Sequence, residues 1–164
     1  MGFCELCGAE IEGCSDGCES SGFGEVQIRE LKGRGYATVH LLTVDSYVLQ
    51  HSERHSPRSN AFHLLRLGWL LFGGGDPDVA QKDRGPIPYL MKDYRNFPYL
   101  RPPPAGLRGI TVVEVLEAKD AAEHRDMAYR WGRSVWDAYR EHHRWAADIL
   151  KNVGVNVPEM PVEK

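Results

Sequence analysis

The sequence predicts a mainly α fold: a bundle of four to five helices with a small cysteine-rich element at its N-terminus and a long Pro/Gly-rich loop. Three observations carry this. Apolar residues recur at helical spacing through 36–72 and 121–151. Three helix start signals stand ahead of apolar runs, at Ser56-Pro57, Thr111-Val-Val-Glu114 and Asp120-Ala-Ala-Glu123. All four cysteines fall between Cys4 and Cys18, a Gly/Ser-rich stretch that cannot build a core alone.

The elements follow in order. Residues 1–22 form the cysteine-rich element, 23–152 the helical domain and 153–164 a tail. Phe23 to Lys32 reads as a short helix broken at Gly33-Arg-Gly35. The run from Tyr36 to Gln50 fits helix or buried strand locally, and its length favours a helix. Ser56 as N-cap and Pro57 at the first helical position open the next helix, which runs to Phe72 and is apolar nearly all round, hence central. It stops at Gly73-Gly-Gly75, and residues 73–110 form a long irregular connection of the kind that is often functional. Thr111 and Glu114 make a capping box for a helix to about Ala118. Asp120 caps the longest predicted helix, about 121–151. There Asp126, Arg130, Arg133, Asp137, Arg140, Arg144, Asp148 and Lys151 share one stripe, read as a solvated face, opposite an arc of Ala128, Trp131, Val135, Ala138, Tyr139, Trp145, Ala146 and Ile149.

Charge narrows the function classes. The formal net charge of -3 gives no general attraction to nucleic acid or anionic membrane. Residues 1–30 hold seven acidic side chains against the single Arg29, which argues against a nucleic-acid-reading finger. The most apolar window, Ala61 to Phe72, spans twelve residues and contains His63 and Arg66, too short and polar to cross a bilayer. With no basic start and apolar run at the N-terminus, a cytoplasmic location is expected, where clustered cysteines bind metal more often than they form disulfides.

The cysteine spacing is C-x2-C-x6-C-x3-C, and Gly8 after Cys7 permits the sharp backbone turn of a metal knuckle. Four thiolates from Cys4, Cys7, Cys14 and Cys18 suit tetrahedral Zn²⁺ in a closed, structural site. An iron–sulfur cluster fits less well, because the spacing matches neither ferredoxin pattern. The six-residue middle loop is short for a zinc ribbon, so an alternative set is three cysteines with a histidine from the helical body.

The histidines suggest a second site. His40 and His51 are eleven residues apart, on one helix face but about 16 Å apart along it, so they cannot share a metal. In an antiparallel helical hairpin His63 returns to the level of Asp45 and Tyr47. His124 and His142, five turns apart, point toward the apolar arc. Two readings stay open: a polar or metal site among His40, Asp45, His51, His63, His124 and His142, holding a second divalent metal, or a set of core histidines satisfied by hydrogen bonds. Residues 84–108 interleave Tyr89, Tyr94, Phe97 and Tyr99 with Lys92, Arg95, Arg101 and Arg108. That pattern fits single-stranded nucleic acid or an anion, or a loop anchored on the bundle by its rings, and the proline spacing favours the anchor.

Taken together, Cys4-x-x-Cys7-Gly8, the segment His40-Leu-Leu-Thr-Val-Asp-Ser-Tyr-Val-Leu-Gln-His51, Ser56-Pro57 with the His63 run, and Phe97-Pro-Tyr-Leu, Ile110 to Leu116, His124, Trp131, Val135-Trp136 and His142-His143 form a recognisable set. The chain resembles a bacterial family of uncharacterised proteins, a domain of unknown function with a V-D-x-Y-x-x-Q-H signature. The resemblance implies that His40, Asp45, Tyr47, Gln50, His51 and His63 belong together, and it implies no activity. In that family the N-terminal cysteine set varies, which leaves the role of Cys14 open.

The expected function is a small zinc protein whose cysteines clamp the N-terminus onto a helical binding or accessory module, with a protein or small molecule as partner and neither nucleic acid nor membrane. The alternative is a metal-dependent hydrolase or transferase using the His/Asp residues, with Tyr47 or Gln50 orienting substrate.

Overall fold

The structure, a computed structural model, describes residues 1–74, 85–92, 97–103 and 109–158, with Cys14 described in its backbone alone. Tyr94, Arg95, Arg108 and the last six residues of the tail lie outside the described residues.

A two-stranded hairpin starts the chain. β1 (Gly2–Phe3) and β2 (Glu10–Ile11) pair antiparallel, Gly2 opposite Ile11. The turn between them is closed by Cys4 N–H donating to the Ala9 carbonyl and Gly8 N–H to the Cys4 carbonyl, each at 2.8 Å. Gly8 has φ of 78°, the left-handed conformation that allows this turn. Helix α1 (Cys14–Gly17) then leads into a wide π-helical turn, Cys18–Gly24, and into α2 (Glu25–Lys32), which ends before Gly33 as predicted.

The body is built on α3 (His40–Gln50) and α4 (Pro57–Phe72). Helix α4 has the bounds the sequence predicts. Ser56 caps it by accepting from Ser59 N–H, Pro57 sits in the first turn, and ten of its residues from Asn60 to Leu71 are buried. The two helices run antiparallel, since Asp45 meets Arg66 while the Ser52 carbonyl just beyond α3 accepts from Asn60 early in α4. Within the long connection the structure places a helix the sequence reading missed, α5 (Ile87–Lys92). Ile87 and Met91, one turn apart, are buried against the bundle. Tyr89 and Tyr99 are 65% and 70% exposed, so among the described residues the connection is anchored by Ile87, Met91, Leu100 and, of the aromatic rings, Phe97, which packs against the core.

Helix α6 (Val112–Leu116) carries the predicted capping box, with Thr111 and Glu114 bonding each other's backbone. Its last carbonyls are satisfied from α2: the Arg29 guanidinium donates to the Val115, Leu116 and Ala118 carbonyls at 3.0–3.3 Å.

The long helix predicted over 121–151 is corrected. It is two helices, α7 (Ala121–Ala138) and α8 (His143–Leu150), joined by a 3₁₀ turn, Arg140–His142. Tyr139 N–H donates to the Trp136 carbonyl, three residues back, and the His143 ring donates to the same carbonyl at 2.8 Å while stacking on the Trp136 ring. Tyr139 also points its hydroxyl across the core to the Leu49 carbonyl at 2.6 Å. All eight charged residues of the predicted stripe are exposed, because the 3₁₀ turn shifts the helical register little. Trp131, Trp136, Tyr139, Leu49 and Leu64 centre the core, and α4 approaches closely at Gly68, where a Cβ would lie 2.7 Å from Trp136 and Leu150. Cys4, Ala9 and Cys18 belong to this same buried cluster, so the N-terminal element is seated on the body. Among the described residues no helix is long and apolar enough to cross a membrane.

Candidate metal centre

Three stretches of chain converge on one point. The hairpin turn supplies Cys4 and Cys7, the π-helical turn supplies Cys18, and the residue after α3 supplies His51. Their ligand atoms all lie within 4.8 Å of one another. The His51 Nε2 is 3.5 Å from both Cys4 Sγ and Cys18 Sγ, and Cys7 Sγ is 3.6 Å from Cys18 Sγ. Cys4, Cys18 and His51 are buried at 1%, 0% and 1% exposure, whereas Cys7 is half-buried. These are three of the four predicted cysteines with a histidine from the body, and the side chain of Cys14 lies outside the described residues.

The imidazole is held from two sides. Its Nδ1 is 2.8 Å from the Tyr47 carbonyl. A carbonyl can only accept, so the proton sits on Nδ1 and the Nε2 lone pair faces the sulfurs. The ring also stacks on Tyr47 at 4.0 Å between centroids, and Tyr47 stacks in turn on Phe23 at 4.1 Å. An ion pair between Arg54 and Glu19 at 2.9 Å ties the turn after His51 to the turn of Cys18, but it is exposed and adds little.

The site favours one negative sulfur, on Cys7, over the other, on Cys18. Donation from Cys18 pushes the Cys7 thiol down to about 4, against the effect of burial, and the Cys18 thiol is pushed up by sharing that bond. Burial works against charge on His51, but bonds to Cys7 and to the Tyr47 carbonyl outweigh it and raise its pKa. Cys7 is thereby held as thiolate, the metal-binding form of a cysteine.

The other candidate residues are distributed elsewhere. Asp45, fully buried, takes a two-pronged bond from Arg66, with Nε at 2.9 Å from Oδ2 and Nη2 at 2.6 Å from Oδ1, and its Oδ1 is also 2.6 Å from His63 Nδ1. His40 and His124 share a different carboxylate, the buried Glu30: His40 Nδ1 at 3.0 Å from Oε2, His124 Nε2 at 2.8 Å from Oε1, and Thr43 donating to Oε2 at 2.7 Å. Burial alone would raise the Glu30 pKa, but His124, His40 and Thr43 outweigh it and hold the carboxyl below its usual range. His142 stands apart, its Nε2 accepting from Arg101 N–H at 3.1 Å, and burial lowers its pKa. The structure thus brings together Asp45 with His63, and His40 with His124, but not all six residues. Among the described residues, only the group of Cys4, Cys7, Cys18 and His51 has the compactness of a metal site.

Two participants escaped the sequence reading. Glu30 was counted only as one of seven acidic side chains, and Arg66 only as an interruption of an apolar run. The signal for both was a charge at a core-facing position of a helix, which demands a partner. Gln50, by contrast, works as a tether: its Nε2 donates to the Ile110 carbonyl at 2.8 Å and its Oε1 accepts from Trp131 Nε1 at 2.9 Å.

The chain belongs to a family of unknown function (DUF5946), whose model matches residues 2–140. No curated protein matches it. No solved structure matches it either. The matched span contains the whole cysteine–histidine cluster and both carboxylate networks and ends at the turn after α7.

Proposed function

We propose that Cys4, Cys7, Cys18 and His51 hold a structural Zn²⁺ that clamps the N-terminal element to the end of α3, and that the clamped bundle serves as a binding or accessory module. The observation that carries this reading is the spacing of the four ligand atoms. A tetrahedron with Zn–S bonds of about 2.3 Å and a Zn–N bond of about 2.05 Å has edges of about 3.8 Å between sulfurs and about 3.6 Å from sulfur to nitrogen. The Cys7–Cys18 separation of 3.6 Å and the two sulfur–nitrogen separations of 3.5 Å fit those edges with little adjustment.

The ligand types support the metal's identity. Three thiolates and one imidazole suit zinc, whereas calcium and magnesium prefer oxygen. Four protein ligands leave no position for water, which favours a structural role over hydrolysis. The Tyr47 carbonyl on the far side of His51 is the kind of outer partner that orients metal-bound imidazoles. The carboxylates that a hydrolase would need for a second metal are each occupied by protein donors at hydrogen-bond distance.

Metal analysis of the purified protein tests this. One zinc per chain is expected, lost in both Cys4→Ser and His51→Ala. A second metal that survives those changes and disappears in His63→Ala would move the function into the bundle. A folded chain that binds no zinc, with freely reactive cysteines, would overturn the proposal.

A further inference from the structure

The four ligands of the centre are unequal in access. Cys4, Cys18 and His51 are sealed in the core, while Cys7 is half-buried and lines a narrow cavity of about 40 Å³. Leu6, Gln50, Pro103, Ala138 and Tyr139 contribute to its walls. At roughly 10–15 Å³ for each enclosed water, such a space admits about three or four water-sized molecules. Cys7 is in direct contact with Cys18, sulfur to sulfur at 3.6 Å.

We propose that Cys7 is the oxidant-reactive ligand of this centre, the point at which hydrogen peroxide attacks, with Cys18 as the resolving thiol. The inference rests on the zinc reading above and adds a substrate class, a small peroxide, and a consequence, release of the ion. In the first step the Cys7 thiolate attacks one peroxide oxygen. The S–O bond forms, the O–O bond breaks, and hydroxide leaves with the electron pair. In the second step the Cys18 thiolate attacks the Cys7 sulfur, forming the disulfide and expelling a second hydroxide. Two thiolates are oxidised by two electrons in all and one peroxide is reduced. Two of the four ligands are then lost, and Cys4 with His51 alone cannot retain zinc against a chelator.

Access and geometry both enter this selectivity. A thiolate sealed in the core reacts only after local opening, so Cys4 and Cys18 are protected as first targets. Closing 3.6 Å to a bond of about 2.05 Å requires only a local shift of the hairpin turn against the π-helical turn.

The test uses the full-length protein as isolated, with its metal content measured beforehand. Peroxide is added in the presence of a chromogenic zinc chelator, with a dimedone-type probe for sulfenic acid in a parallel reaction. Peptide mapping is expected to place the first probe adduct on Cys7 and the final disulfide between Cys7 and Cys18, with one zinc released per disulfide. Ala138→Phe, which narrows the cavity from a wall residue that is not itself a ligand, is expected to slow release at least fivefold at unchanged zinc content. First labelling at Cys4 or Cys18, a disulfide that ends on Cys14, or zinc retained while the cysteines stay reduced in millimolar peroxide would each overturn the inference. If the isolated chain holds no zinc, the clamp fails separately, and the order of labelling of the free thiols still decides whether Cys7 is the point of entry.

Discussion

Helix α3 is tied to its neighbours in two ways that look alike in sequence and differ in physics. Along its length, His40, Thr43 and Asp45 meet Glu30, His63 and Arg66 in networks where each buried charge faces a donor or counter-charge at hydrogen-bond distance. Just past its end, His51 lies 3.5 Å from the sulfurs of Cys4 and Cys18, and Cys7 lies 3.6 Å from Cys18, separations that match the edges of a coordination tetrahedron. In the first arrangement both carboxylates are satisfied by protein donors alone. The second is arranged around a point that a cation would occupy. Both are polar clusters of the same few residue types, so the difference lies in whether ligand atoms aim at one another or at a common centre.

The largest expected effect breaks the second arrangement. His51→Ala or Cys18→Ser should reduce bound zinc from one per chain to near zero, and amide hydrogen exchange through residues 2–24 should rise strongly while α7 is little affected. Asp45→Ala should break the first arrangement without touching the metal. It leaves Arg66 buried and unpaired, which costs about 3–5 kcal/mol, read as a lower urea midpoint at unchanged zinc per folded chain. If Asp45→Ala also emptied the centre, the two arrangements would be one network and the comparison would fail.

Acid should separate them further. Glu30 has a folded pKa held below its ordinary value of about 4.3, so its contribution to stability is present above that value and is lost as pH falls through the lower, folded pKa. Glu30→Gln should therefore flatten the acid limb of stability below about pH 4.3, measured by urea unfolding at a series of pH values. Zinc loss is governed by protonation of the ligands instead, and the Glu30 change should leave its pH midpoint unmoved. The smallest effect is expected from Thr111→Ala. It removes the α6 cap for about 1 kcal/mol and leaves both clusters intact.

Much of the frame could be read from local signals. Helix α4 followed from Ser56-Pro57 and its apolar run, and α6 from its capping box, because caps are determined by residues a few positions apart. The break after Ala138 was hidden because the charged stripe continues across it. What makes the break is a ring from His143 and a hydroxyl bond to Leu49, 90 residues away from Tyr139. The candidate centre was half legible. The short middle loop of the cysteine pattern already allowed a histidine from the body as fourth ligand, and a sharp turn at Gly8 was expected, though not the strand pair around it. Which histidine it would be was not, since His51 reaches Cys4 and Cys18 across 47 and 33 residues of chain. Glu30 and His124 meet across 94 residues, beyond any periodicity.

The central claim is the identity of the ligands, and X-ray absorption at the zinc edge of the purified protein tests it most directly. The account predicts three sulfurs at about 2.3 Å and one imidazole nitrogen at about 2.05 Å, with the nitrogen signal lost or the metal absent in His51→Ala. Four sulfurs around the ion, with His51 outside the shell, would contradict it.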